Sequence, residues 1–114
     1  MNLSPCEHYR DYIYISDVVK GIQLISDLNE STIVNLGSGK AVQLRDFVKR
    51  FWQRLGGELS RLNFGAHSRP GHEPVQPYCF SDQHKLKKLT NWTPSVLIDD
   101  GIKETVAVLR GDNG

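Results

Sequence analysis

The apolar positions of this chain fall into short blocks whose spacing alternates between strand-like and helix-like. The clearest block spans residues 44–55. Leu44, Phe47, Val48, Phe51, Trp52 and Leu55 recur on one helical face, and Arg45, Asp46, Lys49, Arg50, Gln53 and Arg54 take the other. Gly56-Gly57 then supplies a left-handed stop. An earlier helix is predicted behind Asp17, whose carboxylate can cap orphan N–H groups. Val18, Ile22, Ile25 and Leu28 form its buried stripe, and Asn29-Glu30-Ser31 ends it. A third helix carries Leu86 and Leu89 behind a cap at Ser81 or Asp82, and Thr93-Pro94 forces a turn after it. The last helix opens with Asp99 and Asp100 against its dipole and buries Ile102, Val106 and Leu109.

Residues 12–15 read as a short strand rich in β-formers, and residues 32–36 as a buried strand because their apolar run is nearly continuous. Residues 59–64 can form a third strand and residues 78–80 a short extended piece. Between them lies a loop at 65–77 with three prolines, long enough to be functional. Strands alternating with helices predict an α/β fold: a small lobe of a few short strands with three to four helices. So few strands hide little apolar surface, so the lobe is expected to lean on something larger. Residues 1–9 read as a tail, 10–110 as the lobe and 111–114 as a second tail.

Length and composition fit this picture. The chain has 114 residues, 39% hydrophobic and 24% charged, enough for one small domain. A formal net charge of +1 gives no field for nucleic acid or a membrane surface. No apolar run approaches the roughly 20 residues of a membrane span. The N-terminal residues lack the basic and apolar regions of a secretory signal. Cys6 and Cys79 are too sparse for a disulfide framework and read as free thiols in a reducing cytoplasm.

The candidate chemistry is modest. Gly37-Ser38-Gly39-Lys40 is not a phosphate loop: Val34 stands where the first glycine belongs, and Ala41 follows the lysine. Its glycines read instead as a strand-to-helix turn that allows close backbone packing. Asn35, at a strand end, either satisfies the turn or aims an amide at a ligand. Arg10 forms either a surface pair with Asp11 or a guanidinium fork for phosphate oxygens; taken alone, the surface pair is the simpler reading. Arg69-Pro70-Gly71-His72 lies in the long loop, where an arginine on a stiffened backbone can clamp an oxyanion and is equally ordinary as a solvated charge. His67, His72, Glu73, Cys79 and His84 match no common zinc spacing, and no nucleophile triad announces itself. The aromatics Tyr12, Tyr14, Phe47, Phe51 and Trp52 follow element periods and read as core, and Lys85, Lys87 and Lys88 as a solvated helix face.

Taken in order, several segments resemble the C-terminal part of the extended short-chain dehydrogenase/reductase family, the NAD(P)-dependent nucleotide-sugar epimerases, dehydratases and reductases. They are Arg10-Asp11-Tyr12-Ile13-Tyr14 with Asp17-Val18-Val19; Asn35-Leu36-Gly37-Ser38-Gly39; Arg69-Pro70-Gly71-His72; Asp82 with Lys85, then Leu89, Trp92 and Pro94; and Asp100-Gly101-Ile102. Asn63-Phe64-Gly65-Ala66 looks most like the enzymes of deoxysugar biosynthesis. The resemblance implies the substrate-binding lobe of a Rossmann-type enzyme. It implies that Arg10 and Arg69 contact the diphosphate of a nucleoside-diphosphate sugar, with Asn35, Gly71 and His72 near the nucleotide. His72 stands where many epimerases carry an acid, and Gln43 where the family often has a capping serine.

No tyrosine here is followed four residues later by lysine, and no dinucleotide fingerprint is present. The resemblance therefore places NAD or NADP and the catalytic residues in an N-terminal dinucleotide-binding domain outside this chain, with no catalytic, cofactor or metal residues within it. The chain then reads as an excised domain, a split gene product or a truncated frame, inactive alone. Two other readings stand beside it: a stand-alone nucleotide or nucleotide-sugar binding module, and a structural remnant that associates, for instance as a homodimer, through a bare apolar interface.

Overall fold

A computed structural model describes residues 1–67 and 79–111. Most of the expected loop at 65–77, Tyr78 and most of the expected tail at 111–114 lie outside them. The elements run β1 (Asn2–Leu3), β2 (Tyr9–Arg10), α1 (Ile15–Ser26), β3 (Val42–Gln43), α2 (Leu44–Arg54), a 3-10 turn at Leu59–Arg61, β4 (Asn63–Phe64), α3 (His84–Thr90) and α4 (Ile98–Leu109). The fold is mixed α/β, with four helices and short strands among the described residues, as the alternating pattern predicts. β1 pairs with β4 in parallel, Asn2 opposite Asn63 and Leu3 opposite Phe64. β2 pairs with β3 antiparallel, Tyr9 opposite Gln43 and Arg10 opposite Val42.

Residues 1–9, expected as a tail, thus enter both ladders. They also start α2. Gln43 precedes that helix without a side-chain cap, and backbone carbonyls do the work instead. His8 O accepts Leu44 N–H at 2.7 Å, and Cys6 O accepts Arg45 N–H at 2.8 Å. Arg45 also donates Nε–H and Nη2–H to Pro5 O at 3.1 and 2.9 Å. Orphan first-turn donors are satisfied by whatever acceptor reaches them, so a missing serine is no obstacle.

Two expected strands are absent. Residues 12–14 are irregular, and α1 already begins at Ile15. Asp17 is not the cap. It sits inside the first turn, 5% exposed, and its Oδ2 accepts Ser95 N–H at 3.0 Å and Val96 N–H at 2.8 Å. Residues 32–36 are extended but join no ladder, and Ile33 is 86% exposed rather than buried. The α1 stripe is also displaced. Gly21 faces inward, where an added Cβ would lie 2.7 Å from Leu36 Cδ1 and 3.3 Å from Trp92 Cζ3. Ile15, Val19 and Ile22 form an outer apolar stripe that nothing covers among the described residues. The 59–64 strand shrinks to β4 behind the 3-10 turn.

α2 packs against α4, and the best-buried apolar side chains are spread over α3, α4 and the segments before β2 and β4. Leu86 is fully buried, and Leu62, Ile102, Val106 and Cys6 are nearly so. Leu109, expected in the α4 stripe, is exposed. Tyr12 stacks on Phe47 with ring centroids 4.0 Å apart. Gly56, at φ +86°, ends α2 as its sequence predicts. The shape is a slab of 51 × 43 × 16 Å with a radius of gyration of 16.8 Å. A compact chain of about 100 residues has a radius near 13 Å. The lobe therefore buries few side chains fully and leaves apolar faces in the open.

Candidate functional site

β2 and the extended segment after α1 form two walls of one open cleft. Its lining includes Arg10, Asp11, Ile13, Asn35, Leu36, Gly37, Cys79, Phe80 and Ser81, and it encloses about 390 Å³. Arg10 is the last residue of β2 and is partly buried, its Nη1 donating to Tyr9 O at 2.8 Å. Asn35 is exposed and lines the same cleft. Two residues singled out in the sequence thus share one cavity. Arg69, Gly71 and His72 lie outside the described residues.

The organiser of the cleft is Asp11. Its Oδ1 accepts Ser38 N–H at 2.8 Å and Ser38 Oγ–H at 2.5 Å. Its Oδ2 accepts Gly39 N–H and Ser81 N–H, both at 2.9 Å. Burial pushes the carboxyl upward, but the bonds from Ser38, Ser81 and Gly39 outweigh it and hold the group below its ordinary 3.8. Gly37 makes the approach possible: a Cβ there would lie 2.7 Å from both Asp11 Oδ2 and Ser81 Cβ. Gln83 closes the back of the turn, its Nε2 donating to Gly37 O. Ser81 Oγ and Gln83 Oε1 are buried without a hydrogen-bond partner.

The glycine turn does not fit a dinucleotide. The Ser38 and Gly39 amides, which a pyrophosphate would need, are already taken by the Asp11 carboxylate. An anion there would also meet that negative charge. Among the described residues no group of three or more His, Cys, Asp and Glu gathers to hold a metal ion. Nor is any described helix long and apolar enough to cross a membrane. A second hollow of about 120 Å³, walled by Tyr12, Phe47, Phe51 and Ile102, is a gap beside the aromatic core.

Sequence reasoning gave Asp11 no role beyond pairing with Arg10 and marking the resemblance, and offered Ser81 or Asp82 as the cap of α3; it is Asp82 Oδ1 that accepts His84 N–H, at 2.9 Å. One signal was available. A Gly-Ser-Gly turn presents successive N–H groups that need an acceptor, and a short acid elsewhere in the chain is a natural one.

The fold is that of one segment of a Rossmann-type enzyme of the extended short-chain dehydrogenase/reductase class, and the homologues and structural neighbours of the chain include nucleotide-sugar enzymes of that class. The chain is 33% identical over 101 residues to the UDP-glucuronate 4-epimerase of Thermodesulfobacterium geofontis, a match covering 85% of this chain and 29% of that protein. It is 27% identical over 109 residues to the dTDP-4-dehydro-6-deoxyglucose reductase of Escherichia coli, covering 95% of this chain and 33% of the relative. Among solved structures, the UDP-glucuronic acid 4-epimerase of Bacillus cereus, in complex with UDP-glucuronic acid and NAD, superposes with a TM-score of 0.76 at 22% identity, over 96% of this chain and 35% of that one. No family model matches. The chain spans about a third of the length of the curated relatives it matches.

Proposed function

We propose that this chain is the C-terminal, nucleotide-sugar-binding lobe of an NAD(P)-dependent sugar-nucleotide epimerase, dehydratase or reductase. The observation that carries the reading is the cleft shared by Arg10 and Asn35, in a chain homologous to such enzymes. A guanidinium at one wall offers a fork for diphosphate oxygens, and an amide at the other offers both a donor and an acceptor to the nucleotide. Arg69, Gly71 and His72 complete the site in this reading, on the strength of their motif. Residues 10–110 are its working unit. The lobe's contribution to chemistry is positioning: binding energy from the remote nucleotide orients the sugar ring.

NAD or NADP belongs, in this reading, to a dinucleotide-binding domain that the slab's open apolar faces meet. Those faces, with Ile15, Val19, Ile22 and Ile33 on them, support that arrangement. The chain alone carries out no hydride transfer.

Calorimetric titration with UDP, dTDP and their sugars tests the proposal. The expected result is saturable binding that Arg10→Ala or Arg69→Ala weakens by about tenfold or more, which is 1.4 kcal/mol. Absence of heat with every nucleoside diphosphate overturns it. NAD(P)-dependent turnover by the chain alone overturns the assignment of the chemistry elsewhere.

A further inference from the structure

Asp11 follows Arg10 in sequence, yet its side chain serves the other walls of the cleft. A carboxylate offers about four acceptor positions. Here they receive Ser38 N–H, Ser38 Oγ–H, Gly39 N–H and Ser81 N–H. The donors come from two distant stretches: the turn just after Asn35, and the segment just before α3. One side chain therefore ties the end of β2, the Asn35 segment and Ser81 into a single unit. There is no slack in it, because Gly37 lies between Asp11 and Ser81 with no room for a methyl group.

We propose that Asp11 is a positioning residue for nucleotide-sugar binding, holding Asn35 and Ser81 at a fixed separation from the Arg10 guanidinium. The inference rests on the function proposed above. Its physical basis is pre-organisation. A binding constellation must be held within about 0.5 Å of its productive geometry, and walls that wander cost affinity. Asparagine cannot replace the aspartate. Its side chain has one acceptor oxygen, and its amide donors would face N–H groups of Gly39 and Ser81 or of Ser38.

Asp17 is the natural control. It is more deeply buried than Asp11 and also accepts backbone N–H groups, from Ser95 and Val96, but it does not line the cleft. The experiment is calorimetric titration of UDP into the full 114-residue chain, with amide hydrogen exchange read at Ser38, Gly39 and Ser81. Asp11→Asn, Ser38→Ala and Asp17→Asn are compared with wild type at a temperature where each is folded. Asp11→Asn is expected to weaken UDP by about tenfold or more and to speed exchange at those three amides, leaving helical amides protected. Ser38→Ala, which removes one donor, is expected to cost about threefold. Asp17→Asn is expected to lower the unfolding midpoint and leave UDP affinity within about twofold. Unchanged UDP affinity in Asp11→Asn, with the three amides deprotected, overturns the inference. If Asp11→Asn does not fold, Ser38→Ala decides: unchanged affinity with lost protection overturns it equally. A wild-type chain that takes up no UDP overturns the functional reading and this inference with it, an outcome distinct from equal binding by wild type and variant.

Discussion

Asp17 and Val96 are tied at 2.8 Å, carboxylate to backbone N–H, across a separation of 79 residues. The same oxygen holds Ser95 N–H at 3.0 Å. α1 is thereby fixed to the turn that launches α4. Asp17→Ala would leave both N–H groups without their partner, and each bond to a charged acceptor contributes about 1.5–3 kcal/mol. A loss of roughly 3 kcal/mol is expected, read as a lower urea midpoint at unchanged slope. A midpoint within experimental error of wild type would show the tie to be energetically empty.

Gly37→Ala tests the close approach at the cleft. The new methyl would press on Asp11 Oδ2 and Ser81 Cβ. Overpacking of this kind costs about 1–3 kcal/mol. Because the methyl pushes apart the walls that carry Asn35 and Ser81, UDP affinity is expected to fall along with stability. Gly56→Ala, at φ +86° with open space around it, is expected to lower stability alone.

Acid will loosen the cleft in a defined direction. Burial raises the Asp11 carboxyl, its hydrogen bonds lower it more, and the folded value lies below 3.8. The unfolded chain therefore binds that proton more readily. The stabilisation is fully present above the unfolded value near pH 4, and it is lost as pH falls through the depressed folded value. Denaturation midpoints measured from about pH 7 down to pH 3 are expected to drop at the acid end for wild type. Asp11→Asn should show a shallower drop over that window; a parallel decline would mean other groups govern the acid behaviour.

Leu86 and Ile22 are expected to behave as opposites. Leu86 is wholly buried, so Leu86→Ala should cost about 2–5 kcal/mol. Ile22 is 58% exposed on the outer stripe of α1, so Ile22→Ala should change the stability of the chain by under about 0.5 kcal/mol. Comparable losses at both positions would mean that the stripe packs against something in solution, and sedimentation of the two variants would reveal it.

Local signals in the sequence were readable where a single element determines the outcome. The Gly56 stop and the acidic first turn of α4 follow from capping, whereas the expected apolar face of α2 is only half-buried and Leu55 on it is 39% exposed. The buried pair Ile102 and Val106 was visible from helical spacing. What misled was partnership at a distance. Asp17 looks like a cap because Ser and Asp before an apolar stripe usually are; its true donors lie on a turn far down the chain. Residues 32–36 look buried because an apolar run normally has sheet neighbours, and no ladder forms there among the described residues. Arg10 and Asn35 line one cleft, but the strand end that pointed to Asn35 is not there, since residues 32–36 join no ladder. The Asp11 hub was marked only by the Gly-Ser-Gly turn, whose amides need an acceptor but do not say which acid supplies it.

A body only 16 Å thick has a calorimetric consequence. The heat-capacity step on unfolding follows the apolar surface that passes from dry to wet, about 12–15 cal/mol/K per residue for ordinary domains. Much of that surface is wet here before melting starts. The lobe is expected to melt with a smaller step per residue, and its curve of stability against temperature to be correspondingly flat.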